Sequence, residues 1–369
     1  MKYILFVYSF GRPRLKRGLL FISYNLPMRP NFFHHIHPPT IPAAQARWRY
    51  TLGAGGTAIF LMLILVITGA LEMFYYIPTT NDAALSIQTI TYLVPFGGLI
   101  RNLHFWSAQL LIIVSAVHLL RVVFTGAYIP PRRFNYLLGL ALFIFSILLN
   151  FTGYILRWDT DIQWALVVGT NLIKTIPFFG NNLYQVLVGG TEPGSATLIR
   201  FYAWHIFGLT LLAAFLTGWH AFRVRRDGGI ALPPPNLRTD KERITRFELV
   251  RRETLAMILT SATLIVLSIF SPAPIASPIT QITSLSIDSR APWFFLWVQQ
   301  MLKWGDPFLW GVFVPLVILL ILVLIPYCFP KPLESELGRW FPKSNRLAQQ
   351  TLGAIALIVI LLTLLANAN

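Results

Sequence analysis

The sequence predicts an all-α integral membrane protein of about seven transmembrane helices, in which a four-helix bundle is followed by three more helices. Three observations predict it. Of 369 residues, 55% are hydrophobic and 12% are charged, about half the charged share of a soluble chain. Seven apolar runs approach the roughly 20 residues that a helix needs to cross a hydrocarbon core of about 30 Å. The connecting segments alternate between basic and non-basic, as they do in multi-pass proteins. The chain is basic overall, with 30 Lys and Arg against 14 Asp and Glu and a formal charge of +16. On so apolar a chain this excess reports topology and contact with anionic lipid, and nucleic acid is excluded as a partner. The single cysteine, Cys328, excludes an intrachain disulfide, a zinc site built on several thiolates and an iron–sulfur cluster held by this chain.

Taken in order, residues 1–47 carry Lys2, Arg12, Arg14, Lys16, Arg17, Arg29 and Arg47 and no acid. They read as a basic, interfacial cytoplasmic segment, with Met28 as a second candidate start. His34, His35 and His37 stand beside Pro38 and Pro39 and read as a solvated loop rather than a metal site. The apolar runs are 53–76, 100–125, 136–156, 201–222, 254–270, 308–328 and 352–366. Residues 48–229 form the four-helix unit, 230–252 a basic linker, and 253–369 a three-helix unit. Arg132 and Arg133 follow the second span; Arg223, Arg225, Arg226, Arg238 and Lys241 follow the fourth; Lys331, Arg339, Lys343 and Arg346 follow the sixth. With seven spans, all these segments fall on one side. The positive-inside rule makes that side the cytoplasm and places the C terminus outside.

Four histidines organise the first unit. His104 and His118 are fourteen residues apart on the second span, and His205 and His220 fifteen apart on the fourth. Each pair is separated by about 21–23 Å along a helix and returns to within roughly 40–60° of one face. Ionisable groups inside a membrane are costly and need a reason. Two such helices side by side present facing imidazoles at two depths: His104 with His205 near the outer edge, His118 with His220 near the inner one. That is the ligand set of two stacked bis-histidine haems, and these four residues are the expected metal ligands. Gly55 and Gly69 on the first span, and Gly139 and Gly153 on the third, share the fourteen-residue step. They read as places where the planar haem ring approaches a helix backbone closely, at the two haem levels, against the plainer reading of small-residue helix packing. Arg101 precedes His104 by three residues and Arg121 follows His118 by three. Each reads as a partner for a haem propionate and as an interfacial anchor.

The runs Arg101-Asn-Leu-His104-Phe-Trp106-Ser-Ala, Thr152-Gly-Tyr, Trp158-Asp159 and Thr197-Leu-Ile-Arg-Phe-Tyr-Ala-Trp-His205 resemble cytochrome b of the quinol–cytochrome c and quinol–plastocyanin oxidoreductases. The fifteen-residue step to His220 is similar to the short, chloroplast and cyanobacterial form. The resemblance is strong over residues 48–229. From about 238 onward it is weaker, where three spans resemble the small subunit that partners the short form, here continuous with the first unit.

The resemblance implies two non-covalent b-type haems and a quinone substrate, with menaquinone compatible. It implies quinol oxidation outside, electron flow through the two haem levels, and quinone reduction inside, where Arg225 matches a basic residue of the family. It implies a Rieske iron–sulfur protein and a cytochrome c or other high-potential acceptor as partners, and a homodimer within a multisubunit complex. The fused chain implies a bacterial cytoplasmic membrane. Of the family's quinol-oxidation motif only Trp293 is kept, with Phe294 standing after it, and the two read either as pocket wall or as interfacial aromatics. Two departures stand out. Pro292 occupies the position of the motif's proton-carrying glutamate, so another acid must serve; Asp159, Asp161 and Asp288 are the candidates on the outer side. Thr51 occupies the position where the short form attaches an extra haem through cysteine, which implies none attached here. Two competing readings are a dihaem membrane anchor of another quinone-linked oxidoreductase and a haem-free transporter with a histidine proton path. The three extra spans speak against the first, and the paired glycines against the second.

Overall fold

In the computed structural model, residues 38–279 and 290–368 are described; Asp288 and the His34, His35 and His37 cluster lie outside them. Seven long apolar helices follow one another as the sequence predicts. They are α1 (Ala54–Glu72), α2 (Gly97–Phe124), α3 (Arg133–Ile155), α4 (Ser195–Arg226), α5 (Arg246–Phe270), α6 (Leu309–Cys328) and α7 (Arg346–Ala368). The chain is a multi-pass membrane protein. Most of each helix surface is apolar and exposed, as lipid requires.

Several boundaries differ from the apolar runs, for a common reason. Hydrophobicity marks the part of a helix in hydrocarbon, whereas backbone hydrogen bonding continues into the interface. Thus α5 begins at Arg246, and Arg246, Arg251 and Arg252 ride on its first turns rather than in the preceding loop. Thr245 stops the helix at that end: its hydroxyl accepts from Glu248 N at 3.3 Å, and Glu248 in turn pairs with Arg252 at 3.0 Å.

The packing order follows the sequence. Helix α1 lies along α2, α3 lies along α4, and α2 contacts α3. Helix α5 packs on α2 and α1, while α6 and α7 close over α3 and α2. One core cluster joins Val123, Tyr136, Leu322, Ile325 and Leu352 from four helices. Its buried hydroxyls are satisfied: Tyr136 donates to Leu322 O at 2.9 Å, and Tyr128 to Asn345 Oδ1 at 2.6 Å. A second cluster at the opposite end joins Ile155, Trp158, Ile162, Leu166, Leu198 and Phe201. Strand β1 (Thr40–Pro42) pairs antiparallel with β2 (Arg243–Thr245), tying the segment before α1 to the segment before α5. Arg47 and Asp240 meet at 2.6 Å beside it.

Candidate functional site

Helices α2 and α4 face each other with two imidazole pairs between them. The ring centres of His104 and His205 are 6.3 Å apart, and those of His118 and His220 are 6.4 Å apart. Fifteen residues in a regular helix would leave His205 and His220 farther out of phase than the fourteen-residue pair. The chain absorbs the extra residue in a π-helical turn, Trp204–Gly208, which contains His205.

Each histidine is backed by a glycine on the neighbouring helix. A methyl group added at Gly69 would come within 3.0 Å of His104 Cε1, and one at Gly153 within 2.7 Å of His205 Cε1. At Gly55 the distance to His118 is 3.3 Å, and at Gly139 to His220 it is 3.1 Å. At each of these four glycines the neighbouring protein group is the imidazole of one of the four histidines. A side chain at Gly153 would displace the His205 ring.

Hydrogen bonds set the direction of three rings. Thr68 Oγ1 lies 2.9 Å from His104 Nδ1, and Thr152 Oγ1 lies 3.0 Å from His205 Nδ1. Each hydroxyl has one hydrogen, and each already donates it to a carbonyl one turn back, Ile64 O at 2.7 Å and Leu148 O at 2.9 Å. The imidazole must then donate from Nδ1. His220 Nδ1 faces Asn135 O at 3.1 Å, and a carbonyl only accepts. In all three rings Nε2 is left with its lone pair, the tautomer a metal ligand needs. His118 Nδ1 is buried without a partner. From the sequence, Thr152 enters only within the Thr152-Gly-Tyr run and Thr68 not at all, and neither reads there as a partner of a histidine. A signal was present: both stand immediately before the glycines, as a repeated Thr-Gly pair.

Porphyrin iron fits these positions. Two imidazoles on one metal, with bonds of about 2 Å, bring their ring centres to roughly 6 Å, as found at both levels. Among the described residues no three histidine, cysteine or carboxylate groups converge, so each level offers two nitrogens, matching a metal that carries its own four equatorial ligands. At the His118–His220 level the rings border a cavity of about 390 Å³, also lined by Thr51, Arg121, Arg132 and Arg225, a size typical of cofactor pockets. Arg121 Nε donates to Tyr50 O at 3.1 Å and its guanidinium lies 4.3 Å over the Tyr50 ring. Its Nη2 is buried with no partner, which suits an incoming carboxylate.

At the other level the arginine is differently engaged. Arg101, expected beside a propionate, donates to Ala273 O at 3.1 Å and to Pro274 O at 2.5 Å. Asn102 accepts from Ala273 N at 2.9 Å, and Trp106 donates to Ser271 O at 2.7 Å. The start of α2 thus grips the chain leaving α5, a role its residue types alone could not reveal.

Asp159 is buried and held by Arg157, with contacts of 2.5 and 2.9 Å to Oδ2. Ala276 N also donates to that oxygen at 3.2 Å, while Oδ1 has no partner. Burial pushes the Asp159 carboxyl above the usual carboxylate range, with Arg157 opposing. Asp161, more exposed, meets Arg157 at 2.8 Å. Phe294 is buried, and Trp293 is half-exposed beside it with ring centres 5.8 Å apart. Phe295 continues the row at 4.9 Å from Phe294 and reaches Phe151 of α3 at 5.6 Å.

Comparisons with known proteins agree with this architecture. A family model described as cytochrome b (N-terminal)/b6/petB matches residues 109–278. Cytochrome b6 of Cyanidium caldarium is 38% identical over 174 residues, spanning 47% of this chain and 81% of that protein. The cytochromes b6 of Euglena gracilis and Acaryochloris marina are 37% and 36% identical over the same shares. A solved chain of a hyperthermophilic respiratory Complex III superposes with a TM-score of 0.70 at 20% identity, covering 86% of this chain and 92% of that one. At that identity the superposition speaks to the fold.

Proposed function

Because the chain belongs to the cytochrome b family, we propose that it is the two-haem, quinone-reactive subunit of a quinol-oxidising cytochrome bc-type complex. The observation that carries this reading is the double arrangement of facing imidazoles, 6.3 and 6.4 Å apart, each seated on a glycine. His104 and His205 would hold one b-type haem, and His118 and His220 the other. Haem bound there supplies reversible one-electron chemistry. Thr68, Thr152 and the Asn135 carbonyl keep Nε2 of three ligands aimed and unprotonated. Gly55, Gly69, Gly139 and Gly153 let the imidazoles seat without displacement. Arg121 and Arg225, with Arg132, offer cations to propionates at one level; Arg101 belongs chiefly to the loop it binds.

In this reading Trp293 and Phe294 wall the quinol pocket. Asp159, with one buried and unbonded oxygen, takes the proton that Pro292 cannot. The basic segments face the cytoplasm of a bacterial cell and the C terminus faces outward. A Rieske protein receives one electron from quinol, a cytochrome c or similar acceptor follows it, and the chain works as a homodimer. Menaquinone is the favoured quinone. A dihaem anchor for another oxidoreductase is the weaker reading, because it leaves α5 to α7 and the loop gripped by Arg101, Asn102 and Trp106 without purpose.

The test is a reduced-minus-oxidised spectrum of the purified chain with haem quantitation. Two b-type haems per polypeptide are expected; none, or one, overturns the assignment. Oxidation of a menaquinol analogue by the intact complex then tests the quinol step.

A further inference from the structure

Two neutral amides lie in the membrane-spanning part of the first unit, away from both histidine levels. Gln109 is on α2, five residues after His104, and Asn150 is on α3, three residues before Gly153. At a rise of about 1.5 Å per residue, both fall in the layer between the two levels, within about 8 Å of His104–His205. Amides cost free energy in such a place unless their hydrogen bonds are met. Here they are met in a directed way. Asn150 Nδ2 donates to Ala108 O at 3.0 Å and to Ser146 O at 3.2 Å, which fixes its carbonyl outward. Gln109 Nε2 donates to Asn150 Oδ1 at 3.1 Å. Gln109 Oε1 then accepts from the indole of Trp293 at 2.7 Å.

The amide pair thus ends on the one motif residue that this chain retains from the family's quinol-oxidation loop. Its neighbour Pro292 has no side-chain polar group and no N–H, so this part of the loop has no acid to anchor it or a ligand. The only hydrogen-bonding atom on the Trp293 side chain is taken by Gln109, which selects one orientation of a ring that is otherwise half-exposed. Phe294 and Phe295 continue from that ring to Phe151, one residue from Asn150 and two from Gly153. The row is therefore pinned to α3 at one end by aromatic packing, and to α2 at the other by a single hydrogen bond.

We propose that Gln109, oriented by Asn150, is a positioning residue for the quinol reaction: by holding Trp293 it sets the aromatic wall against which the quinol ring binds. This rests on the quinol-site reading of the loop given above. Gln109 is not required to touch the substrate. Its effect is on how well the pocket is preformed, and so on binding more than on turnover.

The experiment is quinol titration of the intact complex in membranes, with b-haem spectra recorded on every variant. Gln109→Met keeps the length and removes the amide; it should raise KM about tenfold, equivalent to about 1.4 kcal/mol, as expected for one hydrogen bond, with kcat within about twofold. Trp293→Phe keeps an aromatic ring and removes the N–H; it should raise KM by a similar factor. The double variant should match the single ones rather than reach about a hundredfold, because the two act through one bond. Gln109→Glu, whose neutral carboxyl can accept from Trp293 and donate to Asn150, should return KM to within about threefold of the original. A Gln109→Met complex with KM within twofold of the original overturns the proposal, as does a multiplicative double variant. Should Gln109→Met fail to assemble, Trp293→Phe carries the test alone, and an unchanged KM there overturns it. A wild-type complex that oxidises no quinol overturns the underlying reading together with this inference; active wild type beside unaffected variants overturns the inference alone.

Discussion

The two imidazole levels are built from the same parts and finished differently. At His104–His205 both rings donate to threonine hydroxyls, a methyl added at the backing glycines would come within 3.0 and 2.7 Å of the rings, and the nearby arginine is spent on the loop after α5. At His118–His220 one ring donates to a carbonyl and the other has no Nδ1 partner. A methyl added at the glycines there would stand slightly farther off, at 3.3 and 3.1 Å, and the rings open on a cavity lined by four arginines, Arg121, Arg132, Arg225 and Arg252. One level is clamped and joined to the second half of the chain; the other is looser and basic. A ligand whose tautomer is fixed costs less to organise on binding, whereas a cavity with unspent cations is suited to anionic groups and exchangeable ligands.

The largest expected effects remove one level outright. His104→Ala should abolish one haem spectrum and leave the other, and His220→Ala should do the converse. If either substitution left both spectra unchanged, the pairing would be wrong. Next comes steric intrusion, which should separate the levels. Gly153→Ala places a methyl 2.7 Å from His205 and should lose most haem at that level, whereas Gly55→Ala, at 3.3 Å from His118, should keep most of it. Haem content per chain reads both, and equal losses would refute the difference in tightness. A smaller, graded effect is expected from the hydroxyls. Thr68→Val or Thr152→Val should weaken haem retention at the His104–His205 level about tenfold to a hundredfold without touching the other, measured by haem loss to an apo-acceptor. The smallest concerns charge: Arg121→Gln should lower the midpoint potential of the His118–His220 haem only, since it withdraws a buried cation from that level. Potentiometric titration reads that shift, and movement of the other haem instead would reverse the assignment of levels.

Much of this was legible in the chain. Hydropathy located seven spans because membrane helices must be apolar over a fixed length. The fourteen-residue repeats of histidine and glycine were visible because a helix returns nearly to phase at that step. What the repeats left open was which helix each glycine faces, and what it faces there. Thr68 reads in isolation as an ordinary polar residue of a span; it becomes a tautomer-setting acceptor only because α1 lies against α2, thirty-six residues on. Arg101 looked like a propionate partner until the fold brought Ala273 and Pro274 to it from across the chain. Gln109 and Asn150 drew no notice as single residues, since neither matches a motif and their meaning lies in Trp293.

The sequence by itself determined the class, the number of crossings, the four intramembrane histidines and their grouping into two depths, because those depend on periodicity and solvation along one helix. Tertiary structure alone decided how the levels differ: which ring is anchored, which glycine is tight, which arginine is free, and what the amides hold. Those properties are set by distances of about 3 Å between helices far apart in the chain. No pattern along a single helix specifies them until the helices are packed.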